Sequence, residues 1–176
     1  MEYLKPQDIM VLLKILQKGP KRWKYQDLEN ELGVSKSVVH RALSRCAKAK
    51  LISPSPFEYI FAGNLKEFLL HGVQFAFATE PGSIVKGTYT AHSAPVLKDQ
   101  IISEKDRYVW PYSKGKARGQ SIEPLHERVP VVAEKDAEMY ELLALIDAIR
   151  VGKTREKEIA SRLLSDKIDH YAHEFK

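Results

Sequence analysis

Apolar residues at helical spacing mark both ends of the chain. Between residues 7 and 18 they recur three and four positions apart, which predicts a helix with one buried stripe. The same spacing predicts helices over residues 25–32 and 36–48. Gly33 suits the end of the first of these, and Ser35 has the side chain of a helix N-cap. The first fifty residues therefore predict three short helices in succession.

The middle of the chain shows a different pattern, richer in aromatic and β-branched residues. It predicts a helix over residues 65–71 and strands over residues 51–53, 57–61, 74–79, 107–112 and 121–125. Helical spacing returns over residues 134–151 and 154–173, with Gly152 between the two helices. The predicted fold class is α+β, in which a small mixed α+β domain follows the N-terminal helices and ends in two helices.

Composition is that of a soluble globular protein, but the charge is unevenly distributed. Of 176 residues, 44% are hydrophobic and 29% charged, and the net charge is +5. Residues 1–62 hold 11 Lys and Arg against 6 Asp and Glu, whereas residues 63–176 hold 17 of each. The whole positive excess lies in the first third, which favours a polyanion-binding module joined to a neutral one. We therefore predict two domains, residues 1–62 and residues 63–176.

The second and third predicted helices carry a recognisable motif. Leu28 and Leu32 anchor the first of them, Gly33-Val34-Ser35 forms a tight turn, and the next helix has a polar start. With the two short strands that follow, residues 5–62 resemble the winged helix-turn-helix of bacterial transcriptional regulators, broadly the MarR-like group. The resemblance implies a sequence-specific DNA-binding regulator whose helix 36–48 reads the major groove. We expect this regulator to be a repressor.

A helix in the major groove presents its first turns to the base edges, and flanking cations neutralise phosphates. Arginine can bond guanine with two hydrogen bonds, while serine and histidine can donate or accept. The expected DNA-binding residues are Lys36, Ser37, His40, Arg41, Ser44, Arg45 and Lys48 on the helix, with Lys21, Arg22 and Lys24 beside it. The tip of the predicted wing, residues 53–56, is short and uncharged, so it is assigned no contact.

The expected partners are double-stranded DNA and a second copy of the chain, since paired half-sites give a helix-turn-helix useful specificity. An apolar stripe of Leu142, Leu143, Ile146 and Ile149 is the expected dimer surface. The alternative is an antitoxin-like protein that binds a toxin through residues 63–176 and represses its own operon. This alternative rests on analogy of architecture alone.

The sequence predicts neither an enzyme nor a cofactor or metal site. Residues 82–88 have the glycine spacing of a phosphate-binding loop but lack the lysine after the second glycine. The single cysteine, Cys46, lies on the predicted inner face of helix 36–48, where a small core residue is expected. The absence of a signal-peptide pattern and of a disulfide pair predicts a cytoplasmic protein.

Overall fold

Three helices open the chain in a computed structural model that describes residues 2–20, 22–101 and 106–175. They are α1 (Pro6–Lys18), α2 (Tyr25–Leu32) and α3 (Lys36–Lys48). Gly33 ends α2 with φ of +69°, a left-handed conformation that glycine adopts without steric cost. The three helices predicted from the spacing are confirmed almost to the residue.

The segment after α3 departs from the prediction in two places. The two expected short strands are reduced to one antiparallel bridge between Ile52 and Ile60. A continuous helical stretch follows, made of α4 (Ala62–Glu67), a π-helical turn (Phe68–Gly72) and α5 (Val73–Ala76).

The predicted strand over residues 74–79 is wrong, because the buried side chains in this part of the chain recur at the spacing of a helix. Leu65, Leu69 and Val73 are fully buried four residues apart, whereas Phe75 is 77% exposed. The apparent alternation of Phe75 and Phe77 imitated a strand, although only Phe77 packs against the core.

A small three-stranded sheet closes on itself in the middle of the chain. β1 (Ile84–Tyr89) pairs antiparallel with both β2 (Tyr108–Pro111) and β3 (Ala117–Ser121), and β2 and β3 pair in parallel. Residues 107–112 are thus confirmed as a strand, but the third strand lies earlier than the predicted 121–125.

Tight strand crossing explains why the third strand was missed. A Cβ on Gly119, within β3, would lie 2.6 Å from the carbonyl oxygen of Arg107, the residue before β2, so these segments approach closely where a side chain is absent. The start of β3 therefore contains small residues, Ala117 and Gly119, that are not typical of a strand in the local sequence.

Helices complete the fold: α6 (Val129–Lys135), α7 (Ala137–Val151) and α8 (Thr154–Ala172). Asp136 separates α6 from α7, and its carboxylate accepts the backbone N–H of Met139 at 3.1 Å. The predicted helix over residues 134–151 is therefore two helices with a cap between them. Within the described residues, no helix is both long enough and apolar enough to cross a membrane.

The apolar stripe on α7 lies inside the protein. Leu142, Leu143, Ile146 and Ile149 are each at most 1% exposed, as part of one hydrophobic cluster that runs from Ile9 to Ala172. These four side chains are therefore not available as a dimer surface. Because the cluster joins both halves of the chain, the division at residue 62 stays a prediction.

α1 lies at the centre of this cluster. All side chains from Asp8 to Leu16 are buried, including the charged ones, where the sequence predicted one buried stripe. α3 packs on α1 from one direction, and α7 and α8 also contact it. The helix is thus buried around its whole circumference.

A polar cluster connects α1 to α2 and α7. The Lys14 ammonium lies 2.6 Å from Asp136 and 3.5 Å from Glu31, and Gln17 donates to Asp136 at 3.0 Å. Burial alone would raise the pKa of Asp136, but the hydrogen bonds from Lys14, the Met139 amide and Gln17 outweigh it and lower that pKa. The cluster holds the N-terminal helices against the rest of the protein.

Candidate nucleic-acid interface

The orientation of α3 is set by its cap and by its buried side. Ser35 Oγ accepts the Val38 N–H at 3.3 Å and so satisfies one free amide at the helix start. Val39, Leu43 and Cys46 face the core with no exposed surface. The opposite side of the helix is consequently turned away from the protein.

The outward side of α3 carries most of the residues expected to bind DNA. Lys36, Ser37, His40, Arg41 and Lys48 are exposed, and Ser44 is half-buried. In the part of the chain that the structure describes, Lys36, Arg41 and Lys48 make no ion pair. Three cations on one helix are therefore free to meet an external anion. We call the six outward residues of this helix the α3 face: Lys36, Ser37, His40, Arg41, Ser44 and Lys48.

His40 is held between two aromatic rings. Its ring centroid lies 6.3 Å from that of Tyr25 and 5.8 Å from that of Phe57, which meets it edge-on. Ser44 Oγ donates to the carbonyl oxygen of His40 at 3.0 Å, so its hydroxyl proton is already in use. Local periodicity gave no sign of the aromatic pair, because Tyr25 and Phe57 belong to separate segments.

Arg45 does not lie on this face, contrary to the expectation from sequence. It is 3% exposed, and its Nε and Nη2 donate to the two carboxylate oxygens of Asp8 at 2.8 and 2.7 Å. Asp8 has no exposed surface. The α1 helix lies across this end of α3 and supplies the carboxylate, so Arg45 belongs to the core and is removed from the set of DNA contacts.

The flanking cations differ from one another. Lys24 is exposed, and exposed Arg22 lies 3.6 Å from Glu174, a loose surface pair. Lys21, also expected to contact DNA, lies outside the described residues. Lys24 thus lies at the start of α2, whereas Arg22 lies between the end of α1 and the C-terminal Glu174.

The structure also shows the surroundings of Cys46, of possible metal ligands and of the glycines that resemble a phosphate-binding loop. Cys46 is fully buried and its thiol lies 3.8 Å from the Asp8 carbonyl oxygen, and burial raises the pKa of that thiol. No group of three or more His, Cys, Asp or Glu side chains among the described residues is placed to hold a metal ion. Residues 82–88, which have the glycine spacing of a phosphate-binding loop, run into β1. Gly87 therefore lies within a strand and not directly before a helix.

Comparison with protein-family models, with curated proteins and with solved structures finds no match to this chain. Any functional assignment therefore depends on the geometry described above.

Proposed function

We propose that this protein is a sequence-specific DNA-binding transcriptional regulator that reads the major groove with α3. The observation that carries the proposal is that α3 is amphipathic, with one apolar and one cationic side. Its apolar side is fully buried, while its other side presents polar side chains and cations that make no ion pair with any described residue. A helix of this kind, preceded by α2 and a left-handed glycine turn, supports a helix-turn-helix assignment.

The α3 face has the chemistry that base recognition requires. Arg41 has no carboxylate partner among the described residues and can place two hydrogen bonds on guanine, whereas Ser37 and His40 can donate or accept. Lys36 and Lys48 lie at the two ends of the helix, where they can neutralise phosphates. The proposed division is base recognition by the middle of α3 and phosphate binding by its ends and by Arg22 and Lys24.

The segment after α3 supports a reduced wing. Ile52 and Ile60 form the antiparallel bridge, and Pro54, Ser55 and Pro56 at its tip are exposed and uncharged. This bridge is what the described residues form in place of the two predicted wing strands, and the tip offers no cation for a phosphate. Binding is therefore assigned to α3 and its flanking cations rather than to the wing.

The decisive experiment is selection of bound duplexes from a random DNA pool with the full chain, followed by affinity measurements on the selected site. Arg41→Ala should weaken binding to that site by about 1–3 kcal/mol and should affect random duplexes much less. Arg162→Ala is the matched control, since it removes one arginine from the exposed side of α8. Equal losses on both duplexes would show that Arg41 contacts only phosphate, and recovery of no preferred sequence would refute sequence-specific binding.

A homodimer remains part of the proposal, although its surface must lie outside the buried stripe of α7. A two-fold dimer would place two α3 helices about 34–36 Å apart and would select an inverted repeat. Light scattering on the full chain, free and bound to the selected duplex, tests this. A single chain on an asymmetric site would refute the dimer. The antitoxin alternative stays a prediction that no described contact favours.

A further inference from the structure

Arg128 reaches from the loop before α6 onto the turn between α2 and α3. A Cβ built on Gly33 would lie 2.5 Å from Arg128 Nε and 2.6 Å from Nη2, so the guanidinium rests directly on the glycine backbone. Only a residue without a side chain leaves room for it. Gly33 thus serves two purposes, because its left-handed backbone ends α2 and its bare Cα accommodates Arg128.

Arg128 is half-buried and, unlike the two buried arginines, makes no ion pair among the described residues. Arg45 is paired with Asp8 at 2.7 Å, and Arg150 with Asp147 at 2.9 Å. Arg128 Nε, in contrast, has no accessible surface and no hydrogen-bond partner among the described residues. Nε is therefore closed off against the turn, whereas the two Nη groups keep accessible surface and have no hydrogen-bond partner among the described residues, so their donors are available to an anion from outside the chain.

The position of Arg128 indicates which anion that is. Gly33 lies three residues before Lys36, the first residue of α3, so Arg128 is at the same end of the helix as Lys36 and Ser37. That end is the one expected to approach DNA, where arginine binds phosphate oxygens with two parallel hydrogen bonds.

We propose that Arg128 binds a phosphate of the DNA backbone at the turn before α3. This inference rests on the proposed function and extends it, because the contact comes from the second half of the chain. The α3 face reads the bases, and Arg128 fixes how the start of α3 sits against the backbone. Residues 1–62 are then not the whole DNA-binding surface, although they contain the whole charge excess.

The test uses the full chain and two duplexes of equal length, one the selected site and one of random sequence. Affinity is measured by fluorescence anisotropy at several salt concentrations. Arg128→Gln should weaken binding to both duplexes by about tenfold, the value of one charge-assisted contact. It should also reduce the slope of log affinity against log salt by about 0.9, since one phosphate is no longer neutralised.

Two further variants separate a phosphate contact from other effects. Arg128→Lys keeps the positive charge and should restore the salt slope while recovering only part of the affinity. Arg162→Gln removes an arginine whose Nη2 lies 3.5 Å from Gln100 and should leave the slope unchanged. Circular dichroism on every variant shows whether the fold is retained, and the Lys variant decides the result if Arg128→Gln does not fold.

The failure of this inference can be told apart from the failure of the proposed function. If the unmodified chain binds DNA and Arg128→Gln or Arg128→Lys binds with unchanged affinity and slope, Arg128 only packs against the turn and the phosphate contact is refuted. If Arg128→Gln weakens the selected site alone, Arg128 acts on base recognition and the inference is again wrong. If the unmodified chain binds neither duplex, the proposed function fails and this inference with it.

Discussion

Breaking the buried ion pair between Asp8 and Arg45 should destabilise the protein without removing any group from the α3 face. The informative variants are Asp8→Leu, Arg45→Met and the two combined, because leucine and methionine fill comparable space without charge. Each single variant removes the main partner of a buried charge, since Asp8 is 0% and Arg45 3% exposed. The exposed Glu2 carboxylate, 3.8 Å from Arg45 Nη1, is too distant for a hydrogen bond and does not replace Asp8.

The expected magnitude follows from the burial of both groups. Removing one partner of a buried pair costs about 3–5 kcal/mol, much of it the penalty for the remaining charge. For a chain of this size such a loss lowers Tm by about 6–20 °C. The double variant should recover much of that loss, because two apolar side chains can replace the pair at little cost.

Urea denaturation followed by circular dichroism gives the free energy of unfolding of each variant, and the double-variant cycle gives the coupling between the two residues. Arg41→Met is the matched control on the same helix. Arg41 is exposed, so its replacement should change stability by no more than about 0.5 kcal/mol while it reduces base selectivity.

Two results would contradict this reasoning. If Arg45→Met retained full stability but lost DNA selectivity, Arg45 would face DNA as the sequence suggested, and the inward orientation would be wrong. If the two single losses simply added in the double variant, Asp8 and Arg45 would not be coupled, and their carboxylate–guanidinium contact would carry no free energy.

Three further predictions test other parts of the fold. Leu69→Ala should cost about 2–5 kcal/mol of unfolding free energy, whereas Phe75→Ala should cost almost nothing, and equal losses in urea denaturation would contradict the helical period of this segment. Burial lowers the pKa of His126 from its ordinary value of 6.5, and its Nδ1 accepts the backbone N–H of Arg128 at 3.0 Å. The neutral ring is therefore favoured on folding, so its stabilising effect is present above about pH 6.5 and is lost as pH falls through the lower folded-state pKa. His126→Asn should flatten the dependence of Tm on pH in that range, and an unchanged profile would show that another group titrates. Trp110→Phe should cost about 1–3 kcal/mol of unfolding free energy, because it removes the 2.5 Å hydrogen bond from Nε1 to buried Asp147. An unchanged urea midpoint would show that the hydrogen bonds that Asp147 accepts from Thr90 at 2.7 Å and from Arg150 at 2.9 Å satisfy its carboxylate.

Several features of this protein follow from local sequence alone. The spacing of apolar residues, the Ser35 cap and the Gly33 turn are sufficient for α1, α2 and α3, because each depends on residues within one or two turns. The same argument places α8. The exposed residues of the α3 face also follow, since a helix with one apolar side must turn its polar side outward.

The sheet required long-range information, whereas the segment before it was misinterpreted from its own local pattern. Alternating Phe75 and Phe77 suggested a strand, but the four-residue spacing of Leu65, Leu69 and Val73 along the core makes the segment helical. β3 was placed too late along the chain, because its close approach to the residue before β2 depends on Gly119, a residue type that is uncommon in strands. Pairing partners of this kind cannot be found from the period of a single segment.

Tertiary structure alone decided which charged residues face outward. Arg41 and Arg45 are one helical turn apart and look equivalent in sequence, yet one is exposed and the other is paired with Asp8, 37 residues earlier in the chain. Arg128 is almost a hundred residues after Gly33 but lies against it. The sequence determined which side chains could bind an anion, whereas long-range packing determined which of them remain without an anionic partner. The physical reason is that a cation already paired with a carboxylate inside the fold would have to lose that ion pair before it could bind DNA.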